Sequence, residues 1–316
     1  MAAWGQLLRR SFGVRLGVLH QHAPRAWSVD AAPPAAGGDD LPAIALVTPS
    51  FNQARFIGAT LDSVRAQDYP GLQYVVQDAC SRDGTDRVLA ERATGFEVHI
   101  ERDGGQADAI NRGFARTSAP LMGWLNADDL LLPGTLRYVA RYFAEHPGVD
   151  VIYGNRLVVD ADGREIGRWI LPDHDAQVLR FIDYVPQETL FWRRSAWDRA
   201  GARLDDRLHF ALDWDLLLRF QEAGAVMRHL PGLFGAFRVH QDQKTQADYA
   251  VRGASEMAAL RRRQGALRHG PLQKAALHAA YLWRHRLADA AFGGAGAAAH
   301  GGEGTERAQS RQGTQK

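Results

Sequence analysis

The feature that most restricts what this chain can fold into is a repeated alternation between residues 44 and 145, in which short apolar runs are followed by segments of helical periodicity. Ile44–Ser50 is apolar and ends in Thr-Pro-Ser, a buried strand running into a loop; Ala54–Gln67 then carries Phe56, Ile57, Leu61 and Val64 at helical spacing. The pattern predicts further strands at Leu72–Gln77, Phe96–Glu101 and Leu121–Leu125. Helices are expected at Asp83–Arg92, Gln106–Arg116 and Pro133–Glu145, the last with proline in its first turn. Parallel neighbours need a crossover and a helix supplies it, so this rhythm implies a doubly wound, mostly parallel α/β sheet flanked by helices. In such sheets ligands collect beyond the carboxyl ends of the strands.

Past residue 150 the rhythm weakens. Val151–Val159 and Glu165–Leu171 read as a hairpin about Ala161-Asp162-Gly163, and Asp213–Glu222, 250–265 and 271–291 read as helices. The expected organisation is an extension and Pro/Gly/Ala-rich linker over 1–41, a main domain over 42–248, a C-terminal helical extension over 249–292 and a disordered tail over 293–316. Residues 251–316 hold 11 Lys/Arg against 4 Asp/Glu, a surplus of +7, which leaves the remainder at −5. An acidic body with a basic tail does not suit a nucleic-acid binder, whose positive charge lines the binding face. It suits a solvated basic helix or a peripheral contact with an anionic membrane surface. Cys80 is the only cysteine, so intrachain disulfides and zinc fingers are excluded and the cytoplasm, with contact at the inner membrane face, is the expected location. No apolar run is long enough to span a bilayer. Arg9, Arg10 and Arg15 interleave with Leu7, Leu8, Phe12 and Val14 without a continuous signal-peptide core.

Carboxylates and aromatics stand just after the strand ends, in loops, where a packing role is least expected. After the first strand, Pro49 ends the run and Phe51 offers a flat face that either stacks on a base or plugs the core. After the second, Asp78 can accept hydrogen bonds from an imide or ribose edge, while Ser81 or Asp83 can cap the next helix. Asn126-Ala127-Asp128-Asp129 places two adjacent carboxylates behind a buried strand, an arrangement that calls for a counter-charge. Hard oxygen ligands suit Mg²⁺ or Mn²⁺ bridging a diphosphate; the plainer alternative is one helix cap and one solvated side chain. Asp213 stands at a helix start and could take a proton from an acceptor hydroxyl, or serve as a cap, and Asp215–Arg219 has i,i+4 ion-pair spacing. His240 follows a strand-like run.

Taken in order, VTPSFNQARFIGATLDSVRAQDYPGLQYVVQDACSRDGT, ERDGGQADAINRGF, WLNADDLLLPGTL, VPQETLFWRRSAWDRAG, ALDWDLLLRF and FRVH resemble glycosyltransferase family 2 on a GT-A fold, over roughly residues 42–245. The resemblance implies an inverting transfer from a nucleotide-sugar donor, UDP-linked, to a carbohydrate or lipid-linked acceptor in surface polysaccharide or glycoconjugate synthesis. It implies that Phe51 and Asp78 hold the base, that Asp128 binds the metal with Asp129 beside it, that Asp213 is the base, and that His240 approaches the metal and diphosphate. Asp108, Asn111, Pro49 and Asn126 then fall in the donor site. Three positions depart from the pattern: Asn126 for the first Asp of DxD, Gln77 before Asp78, and Leu212 before Asp213. Trp169, Tyr184, Gln187, Glu188 and Trp192 are candidates for the acceptor or for the core. A sugar-phosphate nucleotidyltransferase would carry a Gly-rich, basic phosphate loop where Pro-Ser-Phe-Asn-Gln stands. An NAD enzyme would show Gly-x-Gly-x-x-Gly, and a non-catalytic protein of the same fold would bind no UDP.

Overall fold

The structure, a computed structural model, describes residues 15–27, 41–241, 252–265 and 270–309. The basic amphipathic entry segment before Arg15 and most of the linker lie outside these residues. Strand β1 (Ile44–Ser50) is buried along its whole length, which explains its unbroken apolar run. Its side chains alternate between two cores. Ile44 and Leu46 face helix α1 (Ile57–Arg65) and helix α4 (Thr135–Glu145), packing with Ile57, Leu61, Leu136 and Val139. Ala45 and Val47 face helix α3 (Gln106–Ala115), packing with Ile110 and Phe114. Gly113 lets α3 sit tightly on the sheet: a Cβ there would come within 2.5 Å of a Val47 methyl. Covering helices on both faces make the sheet doubly wound.

Strands β2 (Leu72–Asp78), β3 (Glu97–Ile100) and β4 (Leu121–Trp124) join β1 in parallel, in the order β3-β2-β1-β4. Helix α2 (Thr85–Arg92) links β2 to β3. Ser50 lies opposite Asp78 and Val47 opposite Trp124, so the loops after β1, β2 and β4 open at one edge. The second half of the sheet is attached through β8 (Phe191–Arg193), which runs antiparallel to both β4 and β6 (Val151–Val159). Beyond β6 come β9 (Met227–Arg238), parallel to it, and the two-residue β5 (Leu130–Leu131). The predicted hairpin is present: β7 (Glu165–Trp169) pairs antiparallel with β6 around a turn that holds Gly163 at φ 81°. Neither β8 nor β5 was expected from the sequence, since two or three residues are too few to show a period.

Helix α4 begins at Thr135 rather than Pro133. Gly134 precedes it in the left-handed region at φ 76°, so the proline lies upstream of the cap. Three further helices follow β7 and β8: α5 (Ala176–Leu179), α6 (Arg194–Arg199) and α7 (Leu212–Glu222). The C-terminal extension forms α8 (Ala254–Arg263) and α9 (Pro271–Gln309). Arg263 bonds the buried Asp215 at 2.6 Å, and Tyr281 and Leu282 of α9 are fully buried against the body. No described helix is long and apolar enough to cross a membrane.

Candidate active site

The open edge of the sheet is a cleft of ≈ 1470 Å³ bounded by the loops after β1, β2 and β4, the start of α7 and the end of β9. That volume exceeds the ~300–1,000 Å³ usual for one small ligand. It has room for two substrates.

The first wall is built by backbone hydrogen bonds from the β1–α1 loop to the β2–α2 loop. Asn52 N–H donates to Ser81 Oγ at 2.7 Å, Gln53 N–H to Thr85 Oγ1 at 2.9 Å and Ala54 N–H to Asp83 Oδ2 at 2.9 Å. Asp83 also accepts from Thr85 N–H, the capping role expected of it. Phe51 is left 60% exposed on this wall, a free aromatic face beside Pro49 rather than a core plug. Asp78 is placed differently from its expected ligand role. It is fully buried, accepts from Ser50 Oγ, Ser81 N–H and Ser81 Oγ at 2.7–2.9 Å, and does not line the cleft. Its carboxylate shapes the loops on which Phe51 stands.

Asp108 and Asn111 are likewise not brought to the cleft. Asp108 accepts from Gly104 N–H at 2.8 Å and pairs with Arg112 at 2.8 Å, while Asn111 exchanges hydrogen bonds with the Leu204 backbone. The carboxyl of this segment that lines the cleft is Asp103, whose Oδ2 is buried without a hydrogen-bond partner among the described residues. Burial raises its pKa, opposed by the bond from Gly105 N–H. Sequence reasoning missed Asp103; the Gly104-Gly105 pair after it is a local cue, since Gly105 turns at φ 117° and its N–H donates to Asp103 Oδ1 at 2.9 Å.

Behind β4, Asn126 is fixed by Gln106, Gln187 and Asp129 at 2.8, 3.0 and 3.2 Å. The two carboxylates that follow part company. Asp129 points into the protein, where it is 1% exposed and accepts from Arg238 N–H and from Asn126. Burial first, then the charges of Asp128 and Glu188, push its pKa well above the usual carboxylate range. Both of its oxygens are thus committed to the protein. Asp128 faces the cleft and meets His240, Oδ2 to Nε2 at 3.0 Å. The His240 ring packs on Phe56 at 4.4 Å between centroids, and its buried Nδ1 has no hydrogen-bond partner among the described residues. The carboxylate oxygen suits Mn²⁺ or Mg²⁺, and an imidazole beside it is accepted more readily by Mn²⁺. No group of three or more metal-ligating side chains occurs among the described residues. An ion here would complete its shell with phosphate and water oxygens.

Asp213 lines the same cleft from the start of α7. It accepts from Trp214 N–H at 2.8 Å, and burial raises its pKa to about 6 in spite of that bond. The loop before it is held by the C-terminal extension: Glu256 of α8 accepts from the N–H groups of His209, Phe210 and Ala211 at 3.0–3.1 Å. Asp215 is buried in ion pairs with Arg219 and Arg263, the scaffold role its spacing suggested. Arg156, whose charge acts on Asp213, donates to both Glu188 carboxylate oxygens at 2.6 Å and lies over the rings of Trp169 and Phe237, 4.7 and 4.3 Å from their centroids. Of the expected acceptor-side residues, Trp169, Tyr184, Gln187 and Glu188 line the cleft, whereas Trp192 is fully buried in the core. Asp183, not singled out by any sequence pattern, lines it as well.

Residues 45–208 match the family model described as Glycosyl transferase family 2, slightly more than half of the chain. The chain belongs to this family. One relative, the O-antigen biosynthesis protein RfbC of Myxococcus xanthus, is 32% identical over 195 residues, which is 60% of this chain but only 15% of that protein. A PGL/p-HBAD biosynthesis glycosyltransferase of Mycobacterium tuberculosis is 28% identical over 198 residues, 60% of this chain and 74% of its own. Among solved structures, S. aureus TarS 1–349 in complex with UDP-GlcNAc aligns with a TM-score of 0.58 at 17% identity, covering 77% of this chain and 72% of that one. Mannosyltransferase PcManGT from Pyrobaculum calidifontis, in complex with GDP-Man and Mn²⁺, aligns with a TM-score of 0.55 at 21% identity, covering 98% and 88%. At these identities the two structures establish the GT-A fold.

Proposed function

We propose that this family 2 chain transfers a sugar from a nucleoside-diphosphate sugar, UDP-linked, to an acceptor hydroxyl with inversion. The observation that carries the reading is the meeting of Asp128, His240 and Asp213 in one cleft, although they lie far apart in the chain. Phe51 and Pro49 offer the base a flat apolar wall, and Asp103 and Asn126 line the same cleft as the Asp128–His240 pair. A divalent ion held by that pair would offset charge developing on the leaving diphosphate. Asp213 takes the proton of the acceptor hydroxyl as its oxygen bonds to the anomeric carbon. The bond from that carbon to the phosphate oxygen breaks on the opposite face, and its electron pair leaves with the diphosphate. A carboxyl that ionises at about 6 is ionised at neutral pH and still basic enough to accept a proton.

The relatives named for O-antigen and PGL/p-HBAD biosynthesis support an acceptor in surface polysaccharide or glycolipid assembly. Presenting the purified chain with a panel of nucleotide sugars tests the reading. At least one UDP-sugar should be hydrolysed or transferred with Mn²⁺ or Mg²⁺, and not after chelation. Equal consumption in EDTA would remove the ion from the account.

A further inference from the structure

Asp183 sits in the loop between α5 and β8, outside every motif that points to the family, yet it borders the same cleft as Asp213. Its Oδ1 is buried and has no hydrogen-bond partner among the described residues. A carboxylate in that position loses water on one oxygen and gains nothing for it.

The charges around it do not compensate. Asp183, Asp213 and Glu188 converge on Arg156, and the Arg156 guanidinium already gives two short bonds to Glu188. The other cation facing Asp183 is Arg261 of α8, which donates to the Phe181 carbonyl at 2.9 Å and lies over the Trp214 ring at 5.4 Å. Two carboxyls that share a poorly solvated site hold one proton between them rather than ionise together.

We propose that Asp183 carries that proton, leaving Asp213 ionised as the base and presenting the Asp183 hydroxyl as a hydrogen-bond donor to a hydroxyl of the acceptor sugar. The inference rests on the reading of Asp213 as base, and it makes Asp183 a positioning residue for the acceptor. Burial, followed by the negative charge of Asp213, pushes the Asp183 carboxyl well above its usual range, while Asp213 ionises at about 6. The unequal pair therefore divides the two roles at neutral pH, one acid and one base.

Three variants of the full chain test this, each measured with a UDP-sugar and acceptor found active in the panel. Asp183→Ala should raise the acceptor KM at least tenfold and leave UDP binding with Mn²⁺ within twofold, which also reports on folding. Asp183→Asn keeps a donor but cannot ionise. It should bring the acceptor KM back to within threefold, and it should lose the alkaline fall in acceptor kcat/KM that the unmodified chain shows as Asp183 ionises. Unchanged acceptor KM in Asp183→Ala would overturn the proposal, as would an Asn variant as impaired as the Ala variant with the alkaline limb intact. Asp213→Asn, run in parallel, keeps the two readings apart, since its failure to slow turnover would remove the base without touching the acceptor KM result.

Discussion

Asp213→Asn is expected to bind donor as the unmodified chain does and to turn over ~10²–10⁴-fold more slowly, the usual contribution of a general base. The amide keeps the shape of the carboxylate, and its oxygen can still accept from Trp214 N–H, so α7 should start as before. What disappears is the ability to accept a proton in the transition state, a loss that falls on kcat rather than on donor KM. The pH profile gives an independent check. The base works only when ionised, so kcat/KM should rise with pH through about 6 to a plateau that ends only where Asp183 ionises. In the Asn variant the residual rate should lack that rise. Turnover at the normal rate with the acid limb in place would move the base to another residue.

The second large effect is on stability. Glu188→Ala should destabilise the fold by about 3–5 kcal/mol, because it strands a buried charge instead of merely deleting an interaction. Glu188 is 1% exposed and Arg156 8%, and the two arms of the pair are 2.6 Å each. The guanidinium also packs on the rings of Trp169 and Phe237, which restrains its movement once Glu188 is gone. Gly235 of β9 passes so near that a Cβ would lie 2.6 Å from Glu188 Cγ, which leaves little freedom for rearrangement. Urea denaturation should show a lower midpoint with an unchanged slope. The pair Arg156→Met with Glu188→Leu should be much milder than Glu188→Ala, since it removes both charges together. A single variant as stable as the unmodified chain would mean that the ion pair does not hold the cleft floor.

The first half of the fold was legible because it rests on periodicity. Val47 and Ile110, or Leu46 and Leu136, announce their faces by spacing alone, and both cores follow. Strand β8 could not be read that way, since its three residues owe their place between β4 and β6 to partners distant in sequence. Within the site, Asp128 and Asp213 stand out by position, after a strand and at a helix start, and His240 only through the family resemblance; all three line the cleft. Asp78 and Asp108 stand in equally suggestive places but spend their oxygens on Ser81, Gly104 and Arg112. A sequence shows that a carboxylate is near an edge; it does not show which way the side chain turns. Asp183 and the hold of Glu256 on the 209–211 backbone come from contacts across the fold and leave no local trace.

Calorimetric titration of UDP into the unmodified chain and into Asp128→Ala, each with Mn²⁺ and with EDTA, tests the central claim most directly. The unmodified chain should bind with Mn²⁺ and lose that binding in EDTA, and Asp128→Ala should show only the weak EDTA behaviour under both conditions. Equal, Mn²⁺-enhanced binding by both proteins would contradict the account, because the ion would then sit somewhere other than beside Asp128 and His240.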